Sequence, residues 1–180
     1  MSFSFTKLSI SDIILIEPKL FTDTRGYFHE NFKESEFSTN GIDLKFVQDN
    51  VSFSTKGVLR GLHYQKQPKS QAKLISVISG EIFDVAVDLR NDSITFGKWT
   101  SQILSNKNHK MLYIPDGFAH GFCTLSDTAH VLYKTTNEYS YEHEQGIIWN
   151  DPDILISWPI QNPLISEKDK KLPTLKKSLN

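Results

Sequence analysis

A single cysteine, Cys123, stands in the 180 residues, so no intrachain disulfide can form. That suits a reducing compartment. Excess positive charge is also missing: 20 Lys and Arg face 21 Asp and Glu, for a net charge of -1. Non-specific nucleic-acid binders carry a basic surplus, so that class is excluded, and any anionic ligand must be met by a local cluster of cations. Apolar runs are short. The cluster IILI at 13–16 falls far below the length of a membrane span. The opening MSFSFTKLSI lacks the basic start and apolar stretch of a secretory signal. These absences lead us to expect a soluble, cytoplasmic protein. Glycine-rich phosphate loops are absent too, which removes most support for hydride transfer or nucleoside-triphosphate hydrolysis.

The composition is that of an ordinary globular chain, 38% hydrophobic and 23% charged. Its length buries enough surface to need no disulfide or metal staple, and it predicts one domain over 1–180. Repeats and linkers are not evident, and only Lys176–Asn180 reads as a loose polar end. The centre reads as strands. In EIFDVAVDL, Phe83, Val85, Val87 and Leu89 alternate with Ile82, Asp84, Ala86 and Asp88, so one face is wholly apolar. AKLISVI, KWTSQIL, KMLYI, GFCTL and AHVLYKTT extend the pattern, separated by turn formers such as Ser79-Gly80 and Pro115-Asp116-Gly117. This spacing predicts an all-β sandwich or barrel. Twelve Phe, six Tyr and three Trp supply large side chains to fill it. Two short helices are expected: FKESEFSTNG, ending at Asn40-Gly41, and SEKDKKL, capped by Ser166 and stopped before Pro173.

Polar residues among apolar neighbours are the candidates for chemistry. GVLRGLHYQ sets Arg60 and His63 in a run that otherwise reads as buried, with Gly57 and Gly61 free to bend it. In isolation His63 suits either a satisfied core histidine or a general base, since its ordinary pKa of about 6.5 matches proton transfer near neutrality. Tyr133 and Lys134 point to opposite faces of their strand. Tyr133 is either core or a proton donor, and Lys73 either a solvated strand end or a cation for a developing oxyanion. Among six histidines, the His-x-His pair of many barrel metalloproteins is missing, because Gln65 follows His63 at that offset. Pro115, Gly117 and His120 preserve a Pro-x-Gly-x-x-His pattern, but one histidine is a poor Zn or Fe site. No metal and no cofactor are therefore expected. Cys123, in GFCTL, reads as core.

Taken in order, PKLFTDTRGYFHENF, FVQDNVSFSTKGVLRGLHYQ, AKLISVISGEIFDVAVDLR, TFGKW, YIPDGFAHGF, LYKTTNEYSYEHEQGIIWNDP and PLISEKD span about 12–173. This set resembles the dTDP-4-dehydrorhamnose 3,5-epimerases of dTDP-L-rhamnose synthesis. The resemblance implies a metal-free cupin-type jelly roll with a few short helices, commonly a homodimer. It also implies a nucleotide-linked 4-keto-6-deoxy sugar as substrate, whose C4 carbonyl acidifies C3–H and C5–H. By this resemblance His63 is the base, Asp169 its paired carboxylate, Tyr133 the acid on the opposite face, and Lys73 the cation near the keto oxygen. Arg25, Glu30, Gln48, Asn50, Arg60, His120, Glu144 and Lys168 match substrate-binding positions, Tyr139 the aromatic that stacks on thymine. Arg60 suits phosphate through its guanidinium fork, and Arg25 is implied to act across the dimer. The rivals are a single-centre epimerase, a non-catalytic sugar-nucleotide-binding cupin and a metal-dependent cupin oxygenase.

Overall fold

The computed structural model describes residues 2–178. Thirteen strands are found among them: β1 (Phe3–Lys7), β2 (Ile14–Pro18), β3 (Phe21–Asp23), β4 (Gly26–Phe28), β5 (Gln48–Thr55), β6 (Leu59–Gln65), β7 (Lys73–Ser79), β8 (Glu81–Asp88), β9 (Trp99–Ser105), β10 (Met111–Ile114), β11 (Phe118–Thr124), β12 (Thr128–Thr135) and β13 (Glu144–Gly146). Helices are confined to α1 (Glu34–Thr39), α2 (Leu175–Ser178) and two single 3-10 turns, Tyr141–His143 and Asp169–Lys171. One sheet runs β1-β2-β10-β7-β12-β5, the other β13-β6-β11-β8-β9, and β3-β4 stand apart as a hairpin. From β5 onward the chain passes repeatedly from one sheet to the other, so apart from the β8-β9 pair, neighbours among these strands are not consecutive in sequence. That interleaving is the jelly-roll wrap.

The inner faces meet in a core that includes Ile75 and Val77 of β7, Ile82 and Ala86 of β8, Phe118 and Phe122 of β11, and Val131 of β12. Parts of both outer faces are covered as well. Phe37 of α1 packs with Ile14, Ile16, Leu74 and Met111 on the six-stranded side. On the other side Ile147, Ile154 and Leu175 cover Leu62, Val85, Val87 and Ala119. This explains a departure from the expected pattern of β8. Alternation there predicts one apolar face, yet both faces are buried: the C-terminal segment covers Val85 and Val87, and Ile82 and Ala86 turn into the core. Asp84 and Asp88 share that inward face and are fully buried.

Helix α1 forms where expected and stops at Asn40, whose amide donates to the Phe37 carbonyl, while Gly41, at φ +87°, donates to that of Ser38. SEKDKKL forms only a 3-10 turn, although the Asp169 amide does donate to Ser166 Oγ at 3.0 Å. The expected loose end at Lys176–Asn180 is corrected up to Ser178. Leu175 is buried and Asp151 Oδ2 accepts its amide at 2.7 Å, which anchors α2. Leu179 and Asn180 lie outside the described residues.

One irregularity positions the site. Arg60 and His63 lie three apart on β6, so strict alternation would send them to opposite faces. Gly61 at φ +123° and a register shift in β11 between His120 and Phe122 break the alternation. The two backbones approach so closely that a Cβ on Gly121 would lie 2.7 Å from the Arg60 carbonyl. Gly121→Ala should therefore push β11 off β6 and cost about 1–3 kcal/mol, as overpacking does. Urea unfolding measures this, and parental stability in that variant would show the two strands have room to spare.

Candidate active site

Two neighbouring cavities, of about 510 and 210 Å³, share three lining residues: His63, Lys73 and Tyr133. His63 comes from β6 in one sheet, Lys73 and Tyr133 from β7 and β12 in the other. The larger cavity adds Arg60, His120, Lys168 and Asp169. The smaller adds Gln48, Asn50, Tyr139 and Glu144. Eleven of the thirteen expected site residues are thus brought together. Arg25 and Glu30 are not. Arg25 sits in the β3-β4 hairpin, ion-paired with Asp23 and far out in solvent. Glu30 follows that hairpin, 3.6 Å from Lys33 Nζ.

His63 donates from Nε2 to Asp169 Oδ1 at 2.8 Å, which leaves Nδ1 as its basic nitrogen. Asp169 is held from behind: its Oδ2 accepts the Gly61 amide at 3.2 Å, and its own amide is bound by Ser166. Burial pushes the Asp169 carboxyl up, but the His63 ring, the Gly61 N–H and Ser166 together hold it below the usual carboxylate range. It is therefore ionised near neutrality.

Lys73 projects from β7 with Ile75 and Val77 and donates to the His63 carbonyl at 3.2 Å. Burial lowers its pKa to about 8, against the opposing pull of Asp84 and Glu144. Burial raises that of the Tyr133 phenol, partly offset by the Arg60 charge and the Ser52 hydroxyl. Tyr133 is thus a protonated donor at neutral pH. Arg60 is fixed by Ser54 Oγ at 3.0 Å and the Phe53 carbonyl at 2.9 Å, two anchors that leave most of its donors for a ligand. In the smaller cavity Gln48 binds Asn50 and accepts the Tyr139 amide at 2.9 Å. Glu144 Oε2 accepts from both the Tyr139 hydroxyl at 2.7 Å and Lys168 Nζ at 2.6 Å, joining the rims of the two cavities.

The sequence reasoning missed Asp84, which accepts from His120 Nε2 at 2.8 Å. Its only sequence signal is a carboxylate inside a strand with apolar residues on either side. Among the described residues, no three His, Cys, Asp or Glu side chains gather as metal ligands do, and no helix is long and apolar enough to cross a membrane.

Because the folded-state pKa of Asp169 is depressed, its stabilisation is complete above the ordinary carboxylate value and is lost as pH falls through the folded one. Asp169→Asn should cost about 1.5–3 kcal/mol near pH 7, the range for a hydrogen bond to a charged group. The gap to the parent should close in acid. Unfolding free energies measured against pH check this, and a gap independent of pH would contradict it.

The family model described as dTDP-4-dehydrorhamnose 3,5-epimerase matches residues 7–177. The Shigella flexneri dTDP-4-dehydrorhamnose 3,5-epimerase is 56% identical over 164 residues, covering 91% of each chain. The crystal structure of the Bacillus anthracis enzyme of that name, with TDP and PPi bound, superposes with TM-score 0.94 at 48% identity, covering 96% of this chain and 99% of that one. A Legionella pneumophila epimerase in complex with dTDP-4-keto-L-rhamnose gives TM-score 0.94 at 46% identity, over 97% and 93% of the two chains. The residues gathered at the cavity junction, His63, Tyr133 and Lys73, thus belong to an isomerase scaffold, and the chain is a member of the dTDP-4-dehydrorhamnose 3,5-epimerase family.

Proposed function

We propose that this chain, as one epimerase domain over 1–180, inverts C3 and C5 of dTDP-4-dehydro-6-deoxy-D-glucose to give dTDP-4-dehydro-L-rhamnose. His63 takes the proton α to the C4 ketone, and the electron pair moves onto O4 as an enolate. Lys73 stabilises that oxyanion, where charge develops only as the C–H bond breaks. Tyr133 returns a proton to the opposite face. The observation that carries this reading is that His63 and Tyr133 come from opposing sheets and line the same two cavities, with Lys73 beside them.

Tyr139, Gln48, Asn50 and Glu144 take the nucleoside half of the substrate in the smaller cavity, with thymine stacked on Tyr139. Arg60, His120 and Lys168 take the sugar-diphosphate half in the larger, with Arg60 on phosphate. No cofactor is needed, because the substrate's own ketone supplies the acidity. Arg25 and Glu30 complete the site of a second copy. What supports a homodimer is that Arg25 rides on a hairpin whose Phe21, Tyr27 and Phe28 are 49, 55 and 65% exposed, outside both cavities of its own chain. The reaction fits a cytoplasmic enzyme that binds neither nucleic acid nor a membrane.

NMR of the substrate with the protein in D₂O tests the reading directly. Deuterium should enter at C3 and C5 and both centres should invert; exchange at one carbon only would favour a single-centre epimerase. His63→Ala should lose about 10²–10⁴-fold in kcat together with exchange, as expected for a sole general base. A variant keeping more than about a tenth of the parental rate, well short of that range's lower edge, would contradict the assignment. Tyr133→Phe should still incorporate deuterium but invert poorly. Normal inverted product from it would overturn the role of the phenol.

A further inference from the structure

Asp84 is fully buried on β8, on the same inward face as the core residues Ile82 and Ala86. An apolar side chain would pack there without desolvating a charge. The carboxylate is also only half satisfied. Oδ2 accepts from His120 Nε2, while Oδ1 is buried with no hydrogen-bond partner among the described residues. Buried carboxylate oxygens are normally engaged, so an orphan calls for a reason.

The surroundings supply one. His120 is the cross-strand partner of His63, and the His63 carbonyl accepts the Lys73 ammonium. His120 and Lys73 also line the same cavity. Asp84 therefore stands at the back of the chamber whose front is the proposed catalytic trio.

The geometry points to Asp84 as a positioning residue of the reaction: one buried carboxylate that orients the His120 ring through Oδ2 and supplies the negative charge that Lys73 faces. The inference rests on the epimerase mechanism above. Lys73 must stay an ammonium in a place where burial favours the neutral amine, and Asp84 is the first of the two carboxylates opposing that loss. Glu144 on β13 is the second, but it is already shared between Lys168 and Tyr139. The other titratable or charged groups facing the chamber are Arg60 and His63 on β6, His120 on β11 and Tyr133 on β12, with Lys168 and Asp169 at the 3-10 turn. Of these, Asp169 is engaged by His63, so it does not relieve Lys73.

The test is the alkaline limb of kcat, measured on the full chain with dTDP-4-dehydro-6-deoxy-D-glucose. Removing a negative charge destabilises the ammonium, so Asp84→Asn should move that limb to lower pH by about one unit or more, the usual effect of a nearby charge. His120→Asn lowers the rate but keeps the carboxylate, and its limb should stay with the parent's. A limb in Asp84→Asn that coincides with the parent's overturns the inference. So does a His120→Asn limb displaced as far as that of Asp84→Asn, because Asp84 would then act through the ring alone. If Asp84→Asn does not fold, pairing it with His120→Asn gives the buried amide a partner. That double variant should show the same acid-ward limb, and one matching His120→Asn overturns the inference. Absence of deuterium incorporation by the parent would instead remove the epimerase mechanism itself.

Discussion

The contact between His63 and Asp169 organises this molecule. It joins residues 106 positions apart and ties the C-terminal segment to β6. That segment is stitched to the strand at several levels. Leu164 exchanges backbone hydrogen bonds with Gly57 and Leu59, and Ile147 exchanges a pair with Leu62. The hydrogen bond between His63 and Asp169 is the polar member of an otherwise apolar seam, in which Ile147, Ile154 and Leu175 cover the outer face of the five-stranded sheet. A carboxylate only 4% exposed would be neutral if burial acted alone. Three donors reverse that balance. The result is a fixed negative charge behind an imidazole that remains open to both cavities.

The same device occurs twice, with different consequences. His63 and His120 are cross-strand partners on β6 and β11, and each donates Nε2 to its own aspartate at 2.8 Å. Access separates them. His120 is 7% exposed and its aspartate is fully buried, whereas the His63 side chain is 32% exposed. A group that moves protons must reach substrate, and a group that orients a neighbour or a ligand need not. In the proposed mechanism the first imidazole is the base, and the second holds one wall of the chamber.

Most of the architecture was legible because hydrophobic period and turn chemistry agree, as at Ser79-Gly80 between β7 and β8 and at Asn40-Gly41 after α1. What was not legible depends on contacts between distant segments. Alternation in β8 shows one apolar face, but no local pattern announces that Ile154 and Leu175 cover it from outside, which leaves the face carrying Asp84 turned into the core. The partner Asp84 meets there, His120, lies 36 residues away. SEKDKKL carries a helix-capping signal, and the cap forms, but the turn closes after one 3-10 step because Asp169 is drawn to Gly61 and His63. The site residues on β5, β6, β7, β11 and β12 converge because their strands do. Arg25 and Glu30 resemble binding residues in their motif, yet a single chain leaves them outside the cavities, since the hairpin that carries Arg25 pairs with neither sheet.

Inversion at carbon needs a proton removed from one face and returned to the other, which no single side chain can do without releasing the sugar. Two sheets facing one another meet that demand structurally. The five-stranded sheet contributes His63, with Arg60 and His120 beside it, and the six-stranded sheet contributes Tyr133 and Lys73. A flat ligand between them has an imidazole on one side and a phenol on the other, and an ammonium reaches the junction from β7. In the proposed mechanism the break in β6 at Gly61 then matters as much as the groups that move the proton. Strict pleating would send either Arg60 or His63 to the outer face, under the C-terminal segment, and leave one wall without its cation or its base. Gly61 and Gly121 give up their side chains where β6 and β11 meet, and that concession lets one short strand place both groups toward the same ligand.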